Sequence, residues 1–502
     1  MEALELLRNG FAVAIEPQNL LFAFIGCALG TAVGVLPGIG SAAAIAILLP
    51  VTFNLAPTPA IIMLAAIFYG TNYGGTITSV LMNMPGEAAS VVTCMDGYEM
   101  AKRGRAGAAL AIAAIGSFIG GTVATIGLVL SAELLTRSAL QVGAPEYFAL
   151  LVLGMALLTG LASKSFLKSV MMAVLGLLLA TVGMDPTAGS PRFTFGRLEL
   201  LDGLSFVPVV MGLFGIGEIL INLEVQGRSV FQKRLGSLLL TRDDIRQSVG
   251  PITRGTLVGF VLGLIPGATS VIASFLSYSL ETKVSRTPER FGKGAIEGVA
   301  APETANNSFV NANFIPLFAL GIPGTASVAM IMGGMMANGL VPGPFLYRDH
   351  ADFVWAVIAS MYIGNVILLI LNLPLVGLWV KLLDVPYSIL FAAILGFTTL
   401  GAYAVSNSPF DIFVMLVFGF LGYAFKKLEF PIAPLVLTLI LGPLMERNLR
   451  KSLEMGGGDF TILFDRPLSL AVLLIAAALA LLPLLRPLWG RVEVLRSGQE
   501  TS

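Results

Sequence analysis

Four long stretches of the chain carry no charged residue: Glu16 to Glu87, Arg105 to Glu133, Arg254 to Glu281, and Glu303 to Arg348. A helix needs roughly 20 apolar residues to cross the hydrocarbon of a bilayer. Lipid pairs with no backbone amide, so every crossing must satisfy its own. The period-2 alternation of a barrel strand is weak here. The pattern predicts an all-α integral membrane protein with about 12 membrane segments, some of them broken or re-entrant.

Lys and Arg near short loops mark the cytoplasmic side. With Lys102, Arg103 and Arg105 inside, segment 107–132 exits, 147–163 returns to Lys164 and Lys168, and 167–183 exits again. Segment 204–223 then returns to a basic loop, 224–254, holding Arg228, Lys233, Arg234, Arg242, Arg246 and Arg254. Lys426, Lys427, Arg486, Arg491 and Arg496 also fall inside, whereas Arg447, Arg450 and Lys451 fall outside unless one more re-entrant segment intervenes. Segment 255–280 is broken at Pro266-Gly267 and has Arg254 on one flank and Lys283, Arg286, Arg290 and Lys293 on the other. Basic residues at both ends predict a hairpin that enters and leaves on the cytoplasmic face, in preference to one kinked helix.

Composition sharpens this picture. The chain is 56% hydrophobic and 12% charged, with a mean hydropathy of +0.88, against about 25% charged residues in a soluble domain. A formal net charge of zero gives no sign of a nucleic-acid partner. Cys27 and Cys94 lie in or near apolar segments and suggest no disulfide framework. Met1 to Asn19 carries Glu2, Glu5 and Glu16 against Arg8. That is the wrong charge for a secretory signal, so the first apolar segment is expected to be retained.

The chain also repeats itself. Residues 30–41 read GTAVGVLPGIGS and residues 259–270 read GFVLGLIPGATS, matching Gly30, Gly34, Pro37, Gly38 and Ser41 with Gly259, Gly263, Pro266, Gly267 and Ser270. Each copy precedes a second Pro-Gly, in NMPGEAAS (83–90) and GIPGTASV (321–328). The first copy has almost no basic flank and the second has basic flanks, so the copies are expected to be inverted, as in many secondary transporters. The predicted organisation is a first inverted repeat with its additional helices over 1–223, the basic cytoplasmic loop 224–254, and a second repeat with its additional helices over 255–502.

Candidate chemistry gathers at the breaks. Pro removes a helix hydrogen bond, and Gly tolerates the backbone angles of a tight break. Orphaned amides at membrane depth are tolerable only in a polar cavity or inside protein, and a half-helix starting there aims its positive end at an anion. Gly38, Ser41, Asn83, Gly86, Gly267, Thr269, Ser270, Gly324, Thr325 and Ser327 are the candidate substrate-binding residues. The hydroxyls among them can donate to carboxylate oxygens, or else serve close helix packing. Asn72, Thr76, Thr78, Asn306, Asn307, Asn311 and Asn313 need polar partners that lipid does not offer. They read either as interhelical hydrogen bonds or as a cation site. With Glu303, which can take a proton or help hold a cation, the residues Asn72, Asn307 and Asn311 form the candidate cation-coupling set, with Na⁺ as its candidate metal. Glu218 reads as an interfacial residue facing the basic loop. No fixed cation is expected near the substrate site.

Enzymatic readings find little support. GGGD at 456–459 fits the G-x-G-D of membrane aspartyl proteases, but Asp459 has no evident buried acidic partner. His350 alone gives neither a metal cluster nor a Ser-His pair. No phosphate-binding Walker loop is present. No catalytic residue is expected.

The run YGGTITSVLMNMPGEAASVVTCMDGYEMAKRGRAGAAL from Tyr73, PETANNSFVNANFIPLFALGIPG, and NGLVPGPFLY resemble the large membrane subunit of tripartite tricarboxylate transporters, the TctA family. The N-terminal LPG segment, SFVPVVMGLFGIGEIL and GGGDFTILFDRP share that likeness, which spans nearly the whole chain. The resemblance implies a multi-pass protein of the bacterial inner membrane with two partners, a small TctB-like membrane subunit and a periplasmic TctC-like solute-binding protein. It implies uptake of carboxylates such as citrate, driven by a Na⁺ or H⁺ gradient, with no other cofactor. Likeness to carboxylate transporters with paired hairpins suggests an elevator motion. The rival reading is a passive channel or a scaffold subunit, although a channel should show a ring of like charges or a repeated filter.

Overall fold

The computed structural model describes residues 2–36, 38–139, 142–161, 165–185, 187–224, 236–383, 385 and 387–481. Pro37, Lys164, Arg228, Lys233, Arg234, Arg486, Arg491 and Arg496 lie outside them. The described residues are predominantly helical, with one short antiparallel ribbon among them pairing Gly183–Met184 with Pro191–Arg192. Seven described helices are long and apolar enough to cross a membrane, and shorter apolar helices such as Gly40–Leu48 and Ala326–Ala337 accompany them.

Two compact units divide the chain: residues 1–140 with 205–427, and residues 141–204 with 428–502. In the larger unit, the helices Pro57–Met82 and Glu297–Ala312 are buried at nearly every position. Glycine seams explain how each is enclosed. Gly26, Gly30 and Gly34 of helix Pro17–Val35 lie against the backbone of Met63, Ile67 and Thr71. Gly255, Gly259 and Gly263 of helix Arg242–Gly263 lie in the same way against Ala301, Ala305 and Phe309. A Cβ at any of the six would overlap a facing carbonyl oxygen. Small residues at four-residue spacing let membrane helices meet backbone to backbone.

The hairpin expected over 255–280 is present. Helix Arg242–Gly263 stops before Pro266-Gly267, and the chain resumes as Ser270–Val284. Arg254 and Glu281 form a bidentate ion pair, Nε to Oε1 at 2.6 Å and Nη2 to Oε2 at 2.7 Å. On one continuous helix these residues would stand about 40 Å apart, at a rise of roughly 1.5 Å per residue. The chain therefore doubles back at the break. Gly267 makes the turn with φ +88°, and the Thr269 hydroxyl caps the returning helix by accepting from the amide of Ile272.

The other breaks follow similar rules. Gly38 has φ +91°, between Pro17–Val35 and Gly40–Leu48. Asn83, in the left-handed region at φ 55°, ends Pro57–Met82, and Gly321, at φ 68°, ends Phe314–Leu320. Asn and Gly are the residues that take this conformation most readily. Thr325 then caps Ala326–Ala337 by accepting from the amide of Val328. The membrane-length helix Phe206–Glu224 holds a π-helical segment, Met211–Ile216. Its Gly212 leaves no room for a side chain against helix Pro409–Lys427.

The smaller unit packs Ala144–Leu161, Phe166–Ala180 and Ile432–Met455, with Gly176 against the carbonyl of Leu435. Arg450, which the charge count places outside, is neutralised there. It reaches Asp185 at 2.8 Å and Glu446 at 2.7 Å, while Arg192 grips Glu446 with both of its terminal nitrogens. The amides of Ala188 and Thr187, and then Arg450, hold the Asp185 carboxyl down at about 2.

Candidate functional site

All four breaks open onto one cavity of about 580 Å³ within the larger unit. The first contributes Gly38 to Ala43, the second Pro85 to Ala88, the third Thr269 to Val271, and the fourth Thr325 to Ser327. Phe68, Asn72 and Phe309 from the two buried helices line it too, as do Phe214, Glu218 and Lys426. Of the ten predicted substrate positions, Gly38, Ser41, Gly86, Thr269, Ser270, Thr325 and Ser327 belong to the wall. Gly267 and Gly324 lie behind it: the amide of Gly267 donates to the carbonyl of Gly324 at 3.1 Å and ties those two breaks together. Asn83 ends its helix outside the lining.

Ser41 is the junction of the site. Its hydroxyl meets that of Ser327 at 2.8 Å, joining the first break to the fourth. Both its amide and its hydroxyl donate to the carboxylate of Glu87, at 2.8 and 3.2 Å. Glu87 thus occupies the start of helix Gly40–Leu48, where an external anion was expected. In the sequence Glu87 stands out only as the edge of an uncharged stretch. An acid directly after a Pro-Gly break was the available signal.

The wall also carries charge that the sequence reading did not place there. Glu218, expected at an interface facing the basic loop, forms an ion pair with Lys426, and both line the cavity. The site therefore holds a fixed cation after all, already balanced by an acid. Glu218 lies two residues beyond the π-helical segment. That segment changes the turn on which residues beyond it fall, and hydrophobic periodicity does not reveal it.

Of the predicted cation-coupling residues, Asn72 lines the cavity and its amide donates to the carbonyl of Phe68 at 2.8 Å. Glu303, Asn307 and Asn311 instead form a buried row on one helix, Glu303 directed towards helices Pro57–Met82 and Val91–Lys102 and the two amides towards helix Ala106–Ala139. Glu303 accepts from Thr76 at 2.7 Å and from Thr93. Asn307 donates to Ser117 at 2.7 Å, and Thr125 donates to Asn311 at 3.5 Å. The interhelical reading of these amides accounts for those bonds. Among the described residues, it leaves the Oδ1 atoms of Asn307 and Asn313, and both polar atoms of Asn306, buried without a partner. An unmet buried polar atom costs about 1–3 kcal/mol, so such a cluster calls for an explanation. Asp459, the acid of the GGGD motif, accepts from the amide of Thr461 in an exposed turn.

Comparison with known proteins places the chain in a family. Residues 20–437 match the model of the family described as Tripartite tricarboxylate transporter TctA family. A protein of Agrobacterium vitis, described as an uncharacterized 52.8 kDa protein in the TAR-I ttuC' 3'region, is 48% identical over 98% of this chain and 99% of its own length. A second from that organism, an uncharacterized protein in the TAR-II ttuC' 3'region, is 46% identical over 45% of this chain and 96% of its own. No solved structure matches. With its helical membrane architecture and a family match over most of its length, the chain belongs to the tripartite tricarboxylate transporter TctA family.

Proposed function

We propose that this chain is the large membrane subunit of a secondary-active uptake system for carboxylates of the citrate type, in the bacterial inner membrane. It would work with a small TctB-like membrane subunit and a periplasmic TctC-like binding protein. One observation carries the reading: four helix breaks bring hydroxyls and helix starts into a single cavity, as Ser41, Thr269, Ser270, Thr325 and Ser327 do. Membrane transporters hold anionic groups at such broken helices.

The inverted repeat is part of this proposal, with about 12 segments once broken helices are counted. The glycine seams support it. Gly26, Gly30 and Gly34 are each 229 residues from Gly255, Gly259 and Gly263, while Met63, Ile67 and Thr71 are each 238 from Ala301, Ala305 and Phe309. Both seams thus keep one register across the two halves. An elevator motion carrying the cavity across the bilayer fits two such halves.

We assign Na⁺ coupling to Asn72 and to the row Glu303, Asn307 and Asn311. The unpartnered Asn307 oxygen supports that assignment, since Na⁺ is a hard cation that oxygen ligands suit. Reconstitution of the three subunits in proteoliposomes tests the whole reading. Citrate should accumulate against its gradient only when an ion gradient is imposed. Equilibration without accumulation identifies a channel, and no flux identifies a scaffold.

A further inference from the structure

We propose that Glu87 is the proton-coupling residue of the cavity, a carboxylate that holds the substrate's place until it is protonated. This rests on the carboxylate reading above and assigns a regulator to that same site.

Among the described residues, three charged side chains line the cavity: Glu87, Glu218 and Lys426. Glu218 and Lys426 neutralise one another. Glu87 is held by neutral donors, the amide and hydroxyl of Ser41, and among the described residues no Lys, Arg or His pairs with it. The cavity therefore carries about one net negative charge when its acids are ionised, which disfavours entry of an anion.

The donors holding Glu87 are the ones that a carboxylate needs at the start of helix Gly40–Leu48. Two carboxylates that share one donor set do not both stay ionised; the pair keeps a proton. When a proton from bulk water binds a Glu87 carboxyl oxygen, the net charge of the wall falls to zero and the Ser41 amide becomes free for the substrate. The neutral Glu87 O–H then donates to a substrate oxygen, so a competitor becomes a ligand. The proton travels with the substrate and is released where Glu87 returns to Ser41.

The other charged groups on helices packed against residues 88–90 are engaged elsewhere, apart from Lys283, which is exposed and does not line the cavity. Asp96 accepts from Tyr278 and from the amides of Gly292, Gly294 and Ala295. Glu281 is bound by Arg254, Glu297 by Arg290, and Lys102 by Glu99. Glu303 accepts from Thr76 and Thr93, outside the cavity lining. Tyr69, Tyr73, Cys94 and Tyr98 complete the titratable side chains on the two neighbouring helices of the first half, and none of them lines the cavity.

The test is citrate binding to the purified full-length chain between about pH 7 and 9, where citrate itself is almost fully ionised. Binding that takes up one proton weakens about tenfold per pH unit. Wild type should follow that slope. Glu87→Gln, which keeps a neutral donor, should be flat and should bind at least about tenfold more tightly than wild type at the alkaline end. Glu303→Gln should keep the wild-type slope. An unchanged slope in Glu87→Gln, or a slope lost in Glu303→Gln instead, overturns the assignment. If Glu87→Gln does not fold, calorimetry of wild type in buffers of different ionisation heat counts the protons directly. One proton taken up per citrate supports the proposal and none overturns it. A wild type that binds no citrate at any pH fails the carboxylate reading itself, a distinct result.

Discussion

At the scale of the residue, the cavity depends on what its side chains leave out as much as on what they supply. Gly38 and Gly267 hold backbone angles that cost other residues about 1–2 kcal/mol, and a Cβ on Gly38 would strike the amide of Asn222. Leucine at either position should abolish citrate uptake while the protein still reaches the membrane, as fractionation and transport assays would report. Near-normal uptake in both variants would reduce these glycines to packing. Ser41→Ala removes one hydroxyl from a donor set of several. Neutral hydrogen bonds contribute about 0.5–1.5 kcal/mol each, so citrate affinity should fall by roughly two- to twelve-fold. The hydroxyls and glycines of the breaks were legible in the sequence because their residue types suit few other roles at membrane depth. Glu87 and Lys426 were not, because what places them in the wall is a fold that brings residues 41, 87, 218 and 426 together.

At the scale of the element, the hairpin is the clearest agreement between sequence and structure, because flanking charge reports directly on which ends lie together. Single cysteines at the exposed positions Thr253 and Lys283 should react with a membrane-impermeant reagent from one and the same face. Labelling from opposite faces would contradict the doubled-back chain. Glycine spacing alone did not say which helices form the seams, since each seam pairs glycines with carbonyls of ordinary residues. Overpacking typically costs 1–3 kcal/mol, and here the obstacle is backbone, so Gly30→Leu and Gly259→Leu should each lower the melting temperature. The ribbon of the smaller unit makes a pH prediction. Asp185 titrates near 2 in the fold and near 3.9 in an unfolded chain. Its stabilising effect is therefore fully present above about pH 4 and is lost as pH falls towards about 2. Protection of the ribbon amides against hydrogen exchange, taken relative to the intrinsic rate at each pH, should fall over that window in wild type, and Asp185→Asn should be poorly protected throughout.

At the scale of the whole molecule, the reading turns on coupling. If Na⁺ occupies the Asn307 row, citrate and Na⁺ must raise each other's affinity by the same factor. Titrating citrate at several Na⁺ concentrations measures that factor, and Asn307→Ala should bring it close to one. Affinity indifferent to Na⁺ in wild type would remove the Na⁺ assignment and leave the proton at Glu87 as the coupling ion. The hairpin at Pro266-Gly267 adds a mechanical consequence. Its arms are pinned to each other at the base by Arg254 and Glu281, and its returning arm has 15 residues. From Glu281 to Ser270 the arm is about 16 Å long, so a tilt of about 7° at the base swings the tip by roughly 2 Å. Thr269 and Ser270 sit at that tip. On the carboxylate reading proposed above, the pinned base would serve as the fulcrum of such a tilt, which would shift both hydroxyls relative to the substrate and would have to break the Gly267–Gly324 hydrogen bond at the tip or carry the fourth break with it.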